Sequence, residues 1–377
     1  MSAPGSFVKV VSDERFMAAA IAFARRGLGV TSPNPAVGCI IVRDGQIIGR
    51  GATQPGGRPH AETVAIADAG EAARGATLYV TLEPCSHHGV TGPCAHAIVK
   101  AGIARVVSAI EDPDVRVAGR GHAMLRDAGI EVRAGVGAQA AYRANLGHIL
   151  RVTQGRPMVT LKLAETADGF AAAASPHDAR LMITGLAANN RVQIMRAMHD
   201  AIMVGVGTIL GDDPLLTVRL PGLEASAPLR VVLDTHLRLP LRSRLVATVA
   251  ERPVLVIAGE GASLEARVAL EARGVAVERV PLDAHGHVDL AVALGVLAQR
   301  GVTRVLSEGG PHVGAQLIEA GLADEVVLMR GEKMLGREGL PALDDLARAR
   351  LSDPSRYSHV EDVQLGADRM ARYERNL

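Results

Sequence analysis

Short runs rich in branched apolar residues alternate along the chain with alanine-rich segments of helical length. This alternation predicts an α/β protein with largely parallel sheets, because consecutive parallel strands need a helical crossover between them. In the first third, two apolar runs flank Asp44-Gly45, which is typical of a β-hairpin turn. The elements predicted after this hairpin are a helix near His60, a strand at 76–82, a helix after Pro93, a strand at 104–110 and a helix–strand pair at 121–133.

The alternation restarts beyond residues 154–157 (Gln-Gly-Arg-Pro), where a glycine and a proline flank the end of a helical stretch. We therefore predict two domains, residues 1–153 and residues 154–377. A chain of 377 residues has room for two or three domains of roughly 150 residues each. The strands predicted in the second domain are 158–163, 201–206, 229–233, 254–258, 275–280, 303–306 and 325–329, and its predicted helices are 185–198, 263–273, 290–300 and 313–320.

Composition and charge argue against several classes of partner. The 41 lysines and arginines balance the 40 aspartates and glutamates, so no global basic field is expected to attract nucleic acid or a membrane. Four Phe, four Tyr and no Trp provide few platforms for base stacking. No stretch approaches the ~18 apolar residues of a membrane helix, and the three cysteines do not form a disulfide framework. We expect a cytoplasmic protein with neither a nucleic-acid nor a membrane partner, and the pattern leaves homo-oligomerisation open.

The strongest chemical signal is the set His60, Cys85 and Cys94, with Glu62 close to the first of them. One imidazole and two thiolates provide three of the four ligands of a tetrahedral zinc and leave the fourth position for water. Zinc bound in this way lowers the pKa of that water toward ~7. Glu62 lies at a predicted helix start, where it can move the water's proton to a leaving amine, as the glutamate of zinc deaminases does. The pattern predicts one Zn²⁺ per chain.

Two other interpretations of these residues stay open. His87 or His88, between the two cysteines, could complete a closed structural zinc site. The residues could also be unrelated and fit the pattern by chance. Cys39 lies within an apolar run, and we interpret it as a small buried residue rather than a ligand.

The order of residues 60–62 (His-Ala-Glu) and then Pro84-Cys85 resembles the cytidine deaminase-like superfamily, which implies a three-layer α/β/α sandwich. Most members separate the two thiolates by two residues, whereas eight residues separate Cys85 from Cys94. This longer loop, together with residues 33–38 (Pro-Asn-Pro-Ala-Val-Gly) and the sequence Thr-Leu-Glu-Pro-Cys-Ser-His at 81–87, is similar to the bifunctional riboflavin-biosynthesis deaminase/reductase family, RibD or RibG.

The resemblance continues through the second domain. It is carried by residues 161–163 (Leu-Lys-Leu), Asp168-Gly169, 212–214 (Asp-Asp-Pro), 216–219 (Leu-Thr-Val-Arg) and 308–310 (Glu-Gly-Gly). It implies a dihydrofolate reductase-like fold and NADPH as the cofactor. The chain has no convincing Gly-x-Gly-x-x-Gly after a strand, with an acidic residue ~20 positions later, which disfavours a Rossmann domain.

By position, the resemblance assigns ligand contacts to a larger set of residues. Cofactor contacts are implied at Ala164, Thr208, Asp212, Thr235, Gly310, Pro311, His312, Val313, Gly314, Ala315 and Gln316. Substrate contacts are implied at Asn34, which would hold the pyrimidine, and at Arg196, Leu216, Arg219 and Glu308. A turn residue between two prolines is the alternative role of Asn34.

The residue types support part of this assignment. Arg196 and Arg219 offer the charge-assisted, bidentate donors that a phosphate prefers, although a solvated surface arginine is the alternative for each. Residues 307–314 join a predicted strand to a predicted helix, whose N-terminus suits a cofactor phosphate; an ordinary glycine turn is the alternative. Lys162 lies within an apolar strand, where an unpaired ammonium is costly. We predict that it faces the active-site cleft or an acidic partner and takes part in catalysis.

The chain departs from the family at two places. Val90 stands where members usually carry a basic residue thought to meet the substrate phosphate. Arg58, His87 and His88 are the candidate replacements. The family's Ser-x-Trp-Ile stretch is replaced by residues 180–183 (Arg-Leu-Met-Ile), which puts contacts from Arg180 and Met182 in doubt.

The function implied is that of a bifunctional flavin-synthesis enzyme. It would deaminate a small phosphoribosylated diaminopyrimidine with zinc and then reduce the ribosyl group to ribityl with NADPH. The alternatives are a tRNA adenosine or nucleoside deaminase with an unrelated second domain, and a zinc-stabilised binding module. Low aromatic content, neutral charge and the long loop between the thiolates count against the nucleic-acid deaminase.

Overall fold

A computed structural model describes residues 5–86, 92–115, 117–173, 181–223 and 226–376. The chain divides into two compact units, Met1–Gly155 and Arg156–Leu377. Within the described ranges, no helix combines the length and the apolar character that a bilayer crossing requires.

The first unit contains one sheet between two layers of helices. Its elements are α1 (Gly5–Ala24), β1 (Gly38–Arg43), β2 (Gln46–Ala52), α2 (Ala61–Ala69), β3 (Thr77–Val80), α3 (Cys94–Ala101), β4 (Arg105–Ser108), α4 (Arg120–Asp127), β5 (Glu131–Ala134) and α5 (Ala138–Gln154). In the part of this unit that the structure describes, the strand order is β2-β1-β3-β4-β5. Strand β1 is antiparallel to both of its neighbours, whereas β3, β4 and β5 are parallel.

The apolar side chains of the central strands form two separate cores, because successive side chains of a strand point to opposite faces of the sheet. Leu78 and Val106 pack with helices α2, α3 and α4 on one face. Tyr79 and Val107 pack with α1 and α5 on the other face. The predicted three-layer α/β/α sandwich is confirmed.

The second unit is built on a longer mixed sheet. Its elements are β6 (Met158–Glu165), β7 (Phe170–Ala173), α6 (Leu186–Ala197), β8 (Ala201–Gly205), α7 (Val206–Asp212), β9 (Leu229–Leu233), α8 (Arg244–Ala247), β10 (Val254–Gly259), α9 (Leu264–Glu271), β11 (Ala276–Val280), α10 (Leu290–Gln299), β12 (Arg304–Ser307), α11 (Gly310–Glu319), β13 (Glu325–Arg330), β14 (Gly339–Pro341), α12 (Asp345–Ser352), β15 (Tyr357–Leu365) and β16 (Asp368–Arg375). The strand order over its described residues is β11-β10-β9-β8-β12-β6-β13-β16-β15.

The position of β12 reverses the strand order at one edge of this sheet, where open α/β sheets typically have a ligand-binding crevice. The chain passes from β6 to β8, continues outward through β9, β10 and β11, and then returns to place β12 between β8 and β6. Strands β6, β8, β9 and β12 run parallel, so their carboxyl ends meet at the same edge. Open α/β sheets bind ligands where the strand order reverses in this way.

The last two strands differ from the sequence-based expectation of a largely parallel sheet. Strands β15 and β16 form an antiparallel hairpin, and β16 pairs antiparallel with β13. The short pair β7 and β14 is also antiparallel. A pattern of apolar runs does not predict this hairpin, because charged residues make many of its cross-strand contacts. Arg372 contacts Glu325, Glu361 and Glu374 at 2.6–3.1 Å.

Candidate active sites

The three predicted zinc ligands come together in the first unit. His60 is the residue that precedes α2, Cys94 is the first residue of α3, and Cys85 lies in the loop after β3. Their donor atoms all lie within 4.8 Å of one another. Nδ1 of His60 is 3.3 Å from Sγ of Cys94 and 3.7 Å from Sγ of Cys85.

This donor set fits zinc in both chemistry and spacing. Metal–ligand bonds of about 2.0–2.3 Å in a tetrahedron put donor atoms about 3.3–3.8 Å apart, which matches the two distances from His60. In the described part of the unit, the set offers three protein ligands, which is the number that a catalytic zinc with a water-bound fourth position takes. Such an open position is typical of a catalytic zinc rather than a structural one. His87 and His88, the residues that could close the site, lie outside the described residues, as does Val90.

Glu62 is placed by α2 beside the ligands. It lies in the first turn of the helix and is only 4 % exposed. Burial raises the pKa of its carboxyl to about 7, and the negative charge of Cys85 adds to this effect. A carboxyl with a pKa near neutrality can both accept and donate a proton, which is the property that general acid–base catalysis requires.

The protein also prepares a thiolate for the metal. The thiol of Cys94 and the imidazole of His60 hydrogen-bond to Cys85 and lower its pKa to about 4, against the opposing effect of burial. The N–H of Cys94 at the start of α3 also donates to Sγ of Cys85 at 3.3 Å. The hydrogen bond to Cys85, together with burial and the negative charge of Glu62, raises the pKa of Cys94, but a divalent cation bound between the two sulfurs would favour the thiolate form of both.

Two glycines on β2 let α2 approach the sheet closely enough to present these groups. A Cβ atom on Gly51 would lie 2.0 Å from the carbonyl oxygen of Ala61, and one on Gly49 would lie 2.5 Å from that of Ala65. Ala61 stands between His60 and Glu62, so the position of the helix backbone sets the position of both functional side chains.

We expect Gly51→Ala to destabilise the first unit by about 1–3 kcal/mol, because an added methyl group must displace α2. The displaced helix would carry His60 away from the two sulfurs, so zinc affinity should fall as well. Denaturant unfolding and zinc titration measure the two effects. Gly295→Ala on α10, where no neighbouring atom lies within 4 Å of the added Cβ, should be neutral or slightly stabilising. Equal effects of the two substitutions would contradict this account of Gly51.

Asn34, the predicted pyrimidine contact, lies in the loop before β1. Its Nδ2 donates to the carbonyl of Gly57 at 3.0 Å, and a Cβ on Gly57 would collide with the Asn34 side chain. The amide is therefore fixed against the loop that leads into His60. Arg58, in that same loop, is close enough for its charge to act on the pKa of His60. It is the one candidate replacement for a phosphate-binding cation that falls within the described residues.

In the second unit, most of the predicted ligand contacts gather at the carboxyl edge of the sheet. Lys162 and Ala164 lie on β6, Thr208 lies on α7 directly after β8, and Thr235 follows β9. Glu308 follows β12. Residues Gly310 to Gln316 form the first turns of α11. Asp212 is the last residue of α7 and is exposed.

The start of α11 fits a phosphate-bearing cofactor. Gly309 precedes the helix and Gly310 is its first residue; Gly310 has a φ of 74°, a conformation that glycine adopts without strain. A Cβ on Gly309 would lie 2.7 Å from Cβ of Val313, so the first turn of α11 folds this tightly only because Gly309 has no side chain. Free N–H groups at the helix N-terminus suit the phosphate of NADPH.

Arg196 and Glu308, both predicted to contact substrate, are paired with each other. Nε and a terminal nitrogen of Arg196 donate to the two carboxylate oxygens of Glu308 at 2.7 and 2.8 Å. A third donor of Arg196 reaches the carbonyl of Thr217 at 3.0 Å. The charges of Arg196, Lys162 and Arg219 lower the pKa of Glu308 against the opposing effect of its burial. The positive charge of Lys162 thus acts on an acidic group, Glu308, which follows β12.

The segment that carries Leu216 and Arg219 has a strained backbone. Asp213 and Leu216 have φ values of 40° and 49°, which side-chain-bearing residues rarely adopt. The side chain of Leu216 is 2 % exposed and packs in the core, so a substrate could meet it only through the backbone. Arg219 is exposed, and its N–H donates to the Gln193 side chain at 2.8 Å. Strain of this kind persists where surrounding contacts impose it, often at functional sites.

The departures from the family pattern are placed only in part. Met182 is 59 % exposed, and Arg180 lies outside the described residues.

Glu83 is a buried charged residue near the first site to which the sequence analysis assigned no function. It belongs to the same short motif as Cys85. A glutamate directly after a buried strand and before a proline was the available signal, and it is a weak one.

Comparisons with known proteins cover both units. Residues 157–365 match the family model of the RibD C-terminal domain, and residues 10–110 match that of the cytidine and deoxycytidylate deaminase zinc-binding region. The riboflavin biosynthesis protein RibD of Escherichia coli is 39 % identical over 358 residues, which cover 90 % of this chain and 94 % of the relative. That of Bacillus amyloliquefaciens is 41 % identical over 331 residues, covering 88 % and 87 %.

Solved structures agree with these sequence matches. Acinetobacter baumannii RibD superposes with a TM-score of 0.85 at 36 % identity, covering 98 % of this chain and all of that one. A diaminohydroxyphosphoribosylaminopyrimidine deaminase/5-amino-6-(5-phosphoribosylamino)uracil reductase from Thermotoga maritima gives 0.81 at 33 %, with the same coverage. The resemblance seen in the motifs is confirmed, and so is the pairing of a deaminase-like with a reductase-like domain. The chain belongs to the RibD family of riboflavin biosynthesis proteins.

Proposed function

We propose that the unit Met1–Gly155 hydrolyses the exocyclic amine of 2,5-diamino-6-(5-phosphoribosylamino)pyrimidin-4-one and releases ammonia. The unit Arg156–Leu377 then reduces the ribosyl group to ribityl with NADPH, giving 5-amino-6-(5-phosphoribitylamino)uracil. The observation that carries this proposal is that one member of the RibD family contains two clusters of side chains suited to these reactions. One is a His-Cys-Cys donor set with a buried carboxyl beside it, and the other is the Arg196–Glu308 pair at the carboxyl edge of the second sheet.

In the first unit, the side chains have separate tasks. His60, Cys85 and Cys94 hold zinc, which when bound supplies the acidity that makes a water molecule nucleophilic near neutral pH. Glu62 accepts the proton of the attacking water and delivers it to the departing amine. Burial raises the pKa of Glu62 and so favours the protonated form that delivers the proton to the amine. Asn34, fixed by its hydrogen bond to Gly57, offers an amide to the pyrimidine edge.

In the second unit, the charged residues at the crevice orient the substrate. NADPH supplies the hydride, and the N-terminal turns of α11 hold the cofactor's phosphate. Arg196 donates three hydrogen bonds, two to Glu308 and one to the Thr217 carbonyl, so we infer that it holds Glu308 in place. Arg219, exposed at the same crevice, is the cation that meets the substrate phosphate. We assign Lys162, whose charge acts on Glu308, to contact with the ribose.

A coupled assay tests the whole proposal. The full chain receives the diaminopyrimidine ribotide and NADPH, while ammonia release and the loss of NADPH absorbance are followed together. We expect ammonia to appear without NADPH, and NADPH oxidation to require either prior deamination or the already deaminated substrate. Oxidation of NADPH with no ammonia release from the amino substrate would contradict the proposed order of steps.

We expect Arg219→Ala to lower kcat/KM of the reduction about 10- to 100-fold, mainly through KM. A hydrogen bond to a charged group contributes about 1.5–3 kcal/mol, and 1.4 kcal/mol corresponds to a factor of ten. Ammonia release should be unchanged. Arg267→Ala, which removes an exposed arginine paired with Glu271 on α9, is the matched control and should leave both activities intact. An unchanged KM in Arg219→Ala would remove Arg219 from the phosphate site.

A further inference from the structure

Glu83 is a buried carboxylate beside the deaminase site that the proposed chemistry does not use. It lies two residues before Cys85 and is 5 % exposed. Its own N–H donates to the carbonyl of Ile110 at 2.9 Å. Its carboxylate accepts four backbone N–H groups, those of Asp112 at 3.1 Å, Gly119 at 2.9 Å, Gly121 at 2.8 Å and His122 at 3.2 Å.

These four donors belong to the start of α4 and to the loop before it. The first N–H groups of a helix have no partner within the helix and need an acceptor from elsewhere. The residue that precedes α4 is Gly119, with a φ of 76° and no side chain that could serve. Glu83 supplies the acceptor from a different segment of the chain, and its negative charge is favoured at a helix N-terminus. The carboxylate thus fastens the segment before Cys85 to α4.

Further contacts with α4 and with α3 hold the same segment. A Cβ on Gly121 would lie 1.9 Å from the carbonyl oxygen of Pro84, so α4 packs directly against the residue before Cys85. The carbonyl of Cys85 accepts the N–H of Ala95 at 3.2 Å, and its Sγ accepts the N–H of Cys94 at 3.3 Å. The main chain at Cys85 is therefore confined between α4 and α3. Glu83 provides the charged contact that fixes it to α4.

We propose that Glu83 is a positioning residue of the zinc site: it fixes the main chain before Cys85 and thereby the distance of Sγ from His60 and Cys94. This inference rests on the deaminase function proposed above. Glu83 acts through Cys85 and not on the reacting atoms. Residues that orient metal ligands without touching the metal typically change metal affinity by 10- to 100-fold when they are replaced.

The test compares zinc binding and kinetics in the full-length Glu83→Gln variant. The amide keeps the side chain's size, but its NH₂ group would face backbone N–H donors that need an acceptor. We expect zinc affinity, measured by competition with a chelating indicator, to fall by about 10- to 100-fold. At saturating zinc, kcat for ammonia release should fall while KM stays within about two-fold, because the ligand rather than the substrate contact is disturbed.

Glu111→Gln is the matched control. Its carboxylate is 63 % exposed and, among the described residues, is paired with His122 at 4.0 Å, so zinc affinity and kcat should remain those of the wild type. Circular dichroism of the metal-free chain reports whether each variant folds. Should Glu83→Gln not fold, Glu83→Asp is measured instead: it keeps the charge but cannot reach all four donors, and its zinc affinity should fall by a smaller factor.

Wild-type zinc affinity in the folded Glu83→Gln variant, or in Glu83→Asp if only that variant folds, would overturn the inference. A raised KM with unchanged zinc affinity would also overturn it, since the carboxylate would then act through the loop at Asp112. A wild-type chain that binds no zinc or releases no ammonia would instead contradict the deaminase proposal itself. The two failures are therefore distinguishable.

Discussion

Glu62→Gln should release ammonia at least 10²- to 10⁴-fold more slowly than the wild type while it still binds zinc and oxidises NADPH. Positioned acid–base groups contribute rate factors of this size, and an amide of the same shape cannot carry the proton. The three metal ligands are unchanged, so zinc content should remain near one per chain. The reductase residues lie beyond Gly155 in a separate compact unit. Reduction of the already deaminated substrate should therefore proceed normally.

The readouts are ammonia, NADPH absorbance and bound zinc for the same preparation. Glu14→Gln provides a matched control, because Glu14 is exposed on α1 in the same unit and should behave as wild type. Loss of both activities in a folded Glu62→Gln variant would contradict two independent sites and favour a single shared one. Normal ammonia release would remove Glu62 from the mechanism.

Cys94→Ser should lose both zinc and deamination. A serine hydroxyl is a poor substitute for a thiolate, and the remaining His60 and Cys85 leave the metal with two protein ligands among the described residues. Zinc per chain should fall from about one to well below one after dialysis, and ammonia release should fall to background. Metal analysis and the ammonia assay measure the two losses. NADPH oxidation with the deaminated substrate should persist.

Cys39→Ala is the control for the third thiol, which is fully buried in the sheet core and should be dispensable for zinc binding. Full deamination by a metal-free Cys94→Ser chain would contradict the assignment of Cys94.

Removal of zinc from the wild type with a chelator distinguishes a catalytic zinc site from a structural one. A catalytic site should lose turnover with limited loss of fold, whereas a structural site should unfold its unit when the metal is removed.

The candidate zinc ligands could be predicted because each of them belongs to a short motif of neighbouring residues. His60 and Glu62 are two positions apart at the start of one helix, and each cysteine follows a proline in a short motif. The alternation of short branched-apolar runs with alanine-rich segments of helical length likewise indicated the α/β class and most strands of both units. A strand or a helix start depends mainly on neighbouring residues, so a single sequence contains it.

Tertiary structure alone decided the contacts between distant segments. The insertion of β12 between β8 and β6 brings Glu308 to Arg196, 112 positions earlier, so that two residues predicted to contact substrate form an ion pair with each other. The same is true of Glu83, whose carboxylate meets donors up to 39 positions away. The charged hairpin of β15 and β16 also depends on partners across the sheet. Local periodicity specifies which face of an element is apolar, but strand order and the pairing of buried charges follow from which elements pack together. The sequence by itself therefore determined the fold class and the set of candidate zinc ligands, whereas packing determined which charged side chains pair with each other.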